Sequence, residues 1–153
     1  MKVFEESNIA GVRLKNRIIR SATHEGMGDA QGHPLPELTS LYKKLANGGV
    51  GAIITGYVSV QKNGKTFTNQ RMFDDDRYID EYRDLNAAMN ELVTPLFIQL
   101  AHGGGLTASF ITGEKAVSPS PFNSLLYMRR SRQLKDNEIE EIIENFVKAI
   151  ERA

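Results

Sequence analysis

Apolar residues recur along the chain in two alternating rhythms. Leu38, Leu41, Tyr42 and Leu45 fall at i, i+3, i+4 and i+7, the spacing of one helix face. Pro36 opens that helix, because proline at the first helical position has no amide to waste and its φ is already helical. Asn47-Gly48-Gly49 closes it, since glycine tolerates a left-handed C-terminal conformation. Tyr82, Leu85, Met89, Leu92 and Val93 predict a second helix, and Ile139, Ile142, Ile143, Phe146, Val147 and Ile150 a third, from about residue 136 to the terminus. The stripe of this last helix reads as core.

Between the helices lie unbroken apolar runs. Residues 17–22 hold Ile18 and Ile19, residues 50–60 hold Ala52-Ile53-Ile54 and Val58, and residues 96–101 hold Leu96-Phe97-Ile98 and Leu100. Continuous rather than alternating apolar runs predict strands buried on both faces, as in parallel sheets. A polar, glycine-punctuated segment before residue 15 predicts a hairpin or extended cover. The Ser- and Pro-rich stretch from the triple glycine at 103–105 to Arg132 reads as a long loop. The order strand–helix, repeated, predicts an α/β fold, either an open doubly wound sheet or a (β/α)8 barrel. In both, function sits beyond the carboxyl ends of the strands. Long loops after strands and short links after helices favour the barrel.

Composition narrows the partners. Lys plus Arg is 19 and Asp plus Glu is 19, so the net charge of zero gives no electrostatic case for nucleic acid or an anionic membrane. The 153 residues contain no cysteine, which excludes disulfides, thiolate metal sites and cysteine nucleophiles in this chain. No apolar run approaches the ~20 residues that span a bilayer. The expected class is a soluble, cytoplasmic protein.

Several residues at the predicted strand ends could carry chemistry. His24 follows the first strand and His102 the third. Each is either a hydrogen-bonded structural residue or a site residue, and Glu25 could join them only in a metal site that no motif supports. Gly103-Gly104-Gly105 is a flexible turn or a phosphate cradle, but no Lys-Ser/Thr of a P-loop follows it. Asp74-Asp75-Asp76 suits a solvated turn and helix start better than a cation loop. Arg129, Arg130 and Arg132 form a basic cluster, either a solvated face or an anion site. Gln99 stands inside the run Phe97-Ile98-Gln99-Leu100, where a buried amide must find partners. It is either satisfied by backbone or faces a flat heterocycle with donors and acceptors on one edge, such as a flavin pyrimidine.

Taken in order, these segments resemble the N-terminal half of the old yellow enzyme family, the FMN-dependent ene-reductases and NADH:flavin oxidoreductases. The resemblance rests on Leu14-Lys15-Asn16-Arg17-Ile18-Ile19, Ser21-Ala22-Thr23-His24-Glu25-Gly26-Met27, Gly51-Ala52-Ile53-Ile54-Thr55-Gly56, Ile98-Gln99-Leu100-Ala101-His102-Gly103-Gly104, Pro119-Ser120 and the final helix. Any one of these is weak, and their order is the signal. The resemblance implies the first three βα units of a (β/α)8 barrel, with FMN as cofactor and NADH or NADPH as reductant. It implies that Ser21, Ala22, Thr23 and His24 line the flavin, that Tyr57 touches it through its backbone, and that Gln99 bonds the pyrimidine edge. It also implies that the catalytic groups lie in the other half of the barrel. The chain departs from the family's pattern at Ala22, Gly26 and Gly105, where relatives carry proline, an aromatic and arginine. An isolated half-barrel is expected to be inactive and to pair with a second copy or a complementing half, which leaves a non-catalytic assembly module as the alternative.

Overall fold

The computed structural model describes residues 1–125 and 129–153. The chain opens with an antiparallel hairpin of β1 (Ser7–Ile9) and β2 (Val12–Leu14). Its two-residue turn places Ala10 and Gly11 at positive φ, the geometry that matches the twist of the flanking strands. Leu14, 1% exposed, pins the hairpin to the body. The first core strand, β3, is only Ile19–Arg20, shorter than the expected run over 17–22.

Helix α1 (Pro36–Asn47) begins at the proline and buries Leu38, Tyr42 and Ala46. It ends at Gly48, and Gly49 takes φ +93°. The expected strand over 50–60 is two pieces, β4 (Ala52–Ile54) and β5 (Val58–Ser59). Asp75 accepts a hydrogen bond from the Arg77 amide and starts a 3-10 turn over Asp76–Tyr78 that runs into α2 (Ile79–Asn90). The aspartate run is therefore a helix start, and α2 ends before Leu92 and Val93. The next strand is likewise split, into β6 (Leu96–Phe97) and β7 (Leu100–Ala101).

Strands β3, β4 and β6 form a parallel sheet in that order, with Ile19 opposite Ala52 and Ile53 opposite Leu96. Strands β5 and β7 continue it as a parallel pair, Val58 opposite Leu100. Each crossover carries a helix, α1 and then α2, which pack on each other and on the sheet through Tyr42, Tyr82, Leu85 and Met89. Lys15 locks the other end of the layer: its Nζ donates to the Ala46 and Leu92 carbonyls and to Thr94 Oγ1.

Side chains break the ladders. The Thr55 hydroxyl accepts from the Gln99 amide and donates to the Gly56 carbonyl, in place of regular strand pairing. Both runs are therefore interrupted, which a continuous apolar run does not announce.

After a single-turn helix α3 (Ser109–Thr112), the expected loop is instead a small sheet. It comprises β8 (Ala116–Ser118), β9 (Phe122–Ser124) and β10 (Arg129–Gln133), with β10 central, parallel to β8 and antiparallel to β9. These strands are short and polar, so no apolar rhythm marks them. The last helix, α4 (Asp136–Arg152), forms as expected, but its stripe is mostly not core. Ala149 is buried and Phe146 partly so, whereas Ile139, Ile143, Val147 and Ile150 are exposed. Among the described residues, no helix is long and apolar enough to cross a membrane.

Candidate functional site

The carboxyl ends of β3, β4 and β6 open onto one region. Ser21, Ala22, Thr23 and His24 follow β3, Tyr57 lies in the break between β4 and β5, and Gln99 lies in the break between β6 and β7. The His24 ring sits between two aromatic rings, with centroids 4.9 Å from Tyr57 and 4.9 Å from Phe67. The Tyr57 hydroxyl is 3.2 Å from Thr66 Oγ1. Gln99 uses its backbone inward, donating to Thr55 Oγ1 and accepting from the Val58 amide, while the residue as a whole is exposed. It is therefore not the buried glutamine that its apolar neighbours suggested. It lies in the break between β6 and β7 and is exposed there.

A cavity of about 420 Å³ adjoins this region, walled by Tyr57, Thr66, Phe67, His102, Leu106 and Arg129. The Gly104 amide donates to His102 Nδ1 at 3.0 Å, which puts the proton of the neutral ring on Nε2. Burial lowers the His102 pKa and so favours this neutral form. The same contacts decide the triple glycine. Gly104 spends its amide on His102, and Gly103 donates to the Gly64 carbonyl at 2.8 Å. Those amides brace a turn and do not cradle a phosphate.

A buried charge cluster supports the floor of the site. The Glu25 carboxylate, 2% exposed, accepts from Arg20 at 2.7 Å and from Arg71 at 2.9 Å. It also accepts from the Tyr42 hydroxyl at 2.5 Å and the Gly56 amide at 3.1 Å. Burial works against its charge, but the Tyr42 hydroxyl, the Arg71 guanidinium and the Gly56 amide outweigh that and hold its pKa below the ordinary value. Burial in turn pushes the Tyr42 phenol well up, so it stays a donor. Arg20 also donates to the Ile54 carbonyl, and Arg71 to the Gly56 carbonyl. One carboxylate thus ties the loop after β3, the break after β4 and helix α1. Gly56 is required at this junction, because a Cβ there would lie 2.2 Å from Glu25 Oε2 and 2.3 Å from the Thr23 carbonyl oxygen.

The sequence reading missed this cluster. The available signal was Arg20, a charge at the end of a buried strand that had to find a partner. Glu25 is engaged by these cations, and among the described residues no three His, Cys, Asp or Glu side chains gather as a metal site. Arg129, Arg130 and Arg132 all lie on β10.

Comparison with known proteins places this arrangement. The sequence profile of the NADH:flavin oxidoreductase / NADH oxidase family matches residues 2–153. The chain belongs to this family. A relative, the NADH oxidase of Thermoanaerobacter brockii, is 35% identical over 153 residues, which is 99% of this chain and 24% of that protein. A metal reductase of Desulforamulus reducens is 32% identical over 151 residues, 99% of this chain and 22% of its own length. The old yellow enzyme homologue from Zymomonas mobilis superimposes with a TM-score of 0.90 at 20% identity, covering the whole chain and 45% of the other.

The chain therefore spans about a quarter to under a half of the length of these proteins. Its parallel strands and helices are part of an old yellow enzyme barrel, which decides between the two architectures that the strand–helix rhythm left open. The family is one of oxidoreductases that use FMN and a nicotinamide reductant. Ser21, Ala22, Thr23, His24, Tyr57 and Gln99 follow the carboxyl ends of parallel strands, the end at which (β/α)8 barrels carry their sites.

Proposed function

We propose that this chain forms part of the flavin pocket of an FMN-dependent oxidoreductase, with hydride passing from NADH or NADPH through FMN to an activated alkene or another acceptor. The observation that carries the reading is the meeting of family-matched positions at adjacent strand ends: His24 against Tyr57, with Gln99 exposed on the neighbouring strand.

The donor set fits FMN. Gln99 offers a donor and an acceptor on one planar amide, which matches a pyrimidine edge that presents both. Ser21 and Thr23 are exposed and Ala22 half-buried, so the backbone of this loop is open to a planar ligand. His24 carries a ring nitrogen proton to the same region, held in orientation by its two aromatic neighbours. When bound, FMN supplies a carrier that accepts two electrons as hydride and gives them up again. The part of this chain is to bind, orient and exclude water. Glu25, through Arg20, Arg71 and the Gly56 amide, fixes the loop that would face the ring, and Phe67 and Leu106 provide an apolar wall. The groups that pass the hydride's companion proton to a substrate belong to the rest of the barrel.

Incubation of the purified chain with FMN, followed by gel filtration, tests the reading. Flavin should co-elute with the protein, with shifted absorbance and fluorescence, and Gln99→Ala should lose it. A folded wild-type chain that retains no flavin would show that the pocket in these residues is insufficient by itself.

A second reading is favoured by one observation. In the sheet order β3-β4-β6, both outer strands lack a further partner among the described residues, and the exposed face of α4 adds Ile143 and Ile150. Such edges pair with other chains. A self-associating or complemented half-barrel is the state this favours, whether or not it carries out catalysis.

A further inference from the structure

Another cavity, of about 290 Å³, lies between the loop after β3, the loop after β5 and the start of α2. It shares no lining residue with the cavity beside Tyr57 and His102, and what it binds is independent of the flavin reading. Its charged lining residues are Lys62, Lys65, Arg77 and Asp74. None of the four forms an ion pair among the described residues. Lys65 is 5% exposed, and its Nζ donates to the Ala30 carbonyl on the cavity wall at 3.1 Å. Asp75 and Asp76 are exposed, whereas Asp74 is partly buried. The Asp74 Oδ1 is buried and accepts no hydrogen bond. Arg77 is held against Tyr78, another wall residue: it donates to the phenolic oxygen at 2.9 Å and lies 4.9 Å from the ring centroid.

A buried ammonium with one acceptor and a buried carboxylate oxygen with no donor are each costly. Burial accordingly lowers the Lys65 pKa and raises that of Asp74. The cavity is roomier than one bridging water requires and smaller than most drug-sized sites. Three cations face one carboxylate, so a ligand that completes the set is a small anion with several acceptor oxygens and one donor. Hydrogen phosphate has that make-up: three oxygens for the cations and one P–OH for Asp74. Its hydrogen bonds to these groups are charge-assisted, the strong kind. Sulfate has the same shape and charge but no proton, and it would set an oxygen against the carboxylate.

We propose that this cavity binds inorganic phosphate, with Lys62, Lys65 and Arg77 donating to its oxygens and Asp74 accepting from its P–OH. The carboxylate is the selective element, because it repels an oxyanion that brings no proton. The bound ion joins the loop that carries Ala30 to the loop that carries Lys62 and Lys65 and to the start of α2, so binding stabilises the fold.

The test measures binding of phosphate, sulfate and methyl phosphate to the 153-residue chain by calorimetry, at matched ionic strength and about pH 7.5. Methyl phosphate is then mostly a dianion without a proton, since phosphate monoesters lose their second proton near pH 6. Phosphate should bind about tenfold or more tightly than either of the others, the worth of one hydrogen bond to a charged group. It should also raise the melting temperature, which sulfate at the same concentration should not match. Asp74→Asn, which keeps the shape but can donate, should bring phosphate and sulfate to similar affinities. Lys65→Met should weaken phosphate binding about tenfold or more. Lys62→Ala changes an exposed side chain, so the fold should survive it, and phosphate should again bind less tightly. Lys43→Ala, an exposed cation on α1, should bind phosphate as the unchanged chain does. If phosphate does not bind, the cavity holds only water and the proposal is overturned. Sulfate or methyl phosphate binding as tightly as phosphate overturns it as well, as does a phosphate preference that survives in Asp74→Asn, or an affinity that Lys62→Ala leaves unchanged.

Discussion

Glu25 and its cations show most directly how much one residue can hold in this chain. The carboxylate and the Arg71 guanidinium are 2% and 3% exposed, so removing Glu25 leaves Arg71 buried without its counter-charge. Breaking such a pair typically costs about 3–5 kcal/mol. Glu25→Ala should lower stability by that order in urea denaturation, and Glu25→Gln should recover part of it by keeping the Tyr42 and Gly56 contacts. A carboxyl whose pKa is lower in the folded state stabilises the fold above its unfolded pKa, and loses that contribution as pH falls through the folded value. The Glu25 contribution is therefore complete above about pH 4.5, its ordinary value, and is lost in more acidic solution. The acid limb of the stability profile should flatten in Glu25→Gln; an unchanged limb would remove Glu25 from that role. The sequence exposed these residues unequally. His24 and Gln99 stand out in the sequence because His24 follows an apolar run and Gln99 interrupts one, each inside a local motif. The Glu25 cluster is not, because its partners come from β3, α1 and a loop 46 residues away. No local spacing encodes that meeting.

At the scale of elements, helix periodicity was a better guide than strand continuity. Helix α1 begins at Pro36 and α4 at Asp136, as their apolar spacing and end residues indicate. The strands break at Thr55-Gly56-Tyr57 and Ile98-Gln99 because the Thr55 hydroxyl takes a ladder position, an event invisible to a count of apolar residues. The start of α4 carries its own prediction. Glu138 accepts from the Lys135 amide at 2.8 Å and pairs with Arg132, so it both caps the helix and joins it to β10. The Arg132 hydrogen bonds, then the Lys135 amide, lower its pKa to about 2. By the same linkage the cap is fully present above about pH 4.5 and fades as pH falls through about 2. Glu138→Ala should speed amide hydrogen exchange in the first turn of α4 at neutral pH, with little change in the α1–α2 layer. Equal exchange in variant and wild type would mean that the cap does not hold this end.

At the scale of the molecule, the described residues leave strand edges and an apolar helix face exposed. The outer strands β3 and β6 each have one ladder partner among the described residues, and such edges can pair with another chain. A groove of about 520 Å³ runs beside β6, bounded by Tyr82 of α2 and Ile150 of α4. Along α4, Ile139, Ile143, Val147 and Ile150 are exposed at helical spacing, a face at odds with the polar surface expected of a solvated helix. Edge and stripe lie together, which is why the apolar rhythm of α4 read as core although little in this chain covers it. Burial of this stripe against a second copy should make association concentration-dependent in sedimentation velocity. Ile143→Lys/Ile150→Lys should then shift the distribution toward monomer. Lysine is a good helix former and both positions are exposed, so each change should alter stability by no more than about 0.5 kcal/mol. A wild-type chain that stays monomeric over the whole concentration range would refute association. An associating chain that ignores both lysines would move the contact from the helix face to the strand edges, where a proline in β3 would be the variant expected to disrupt it.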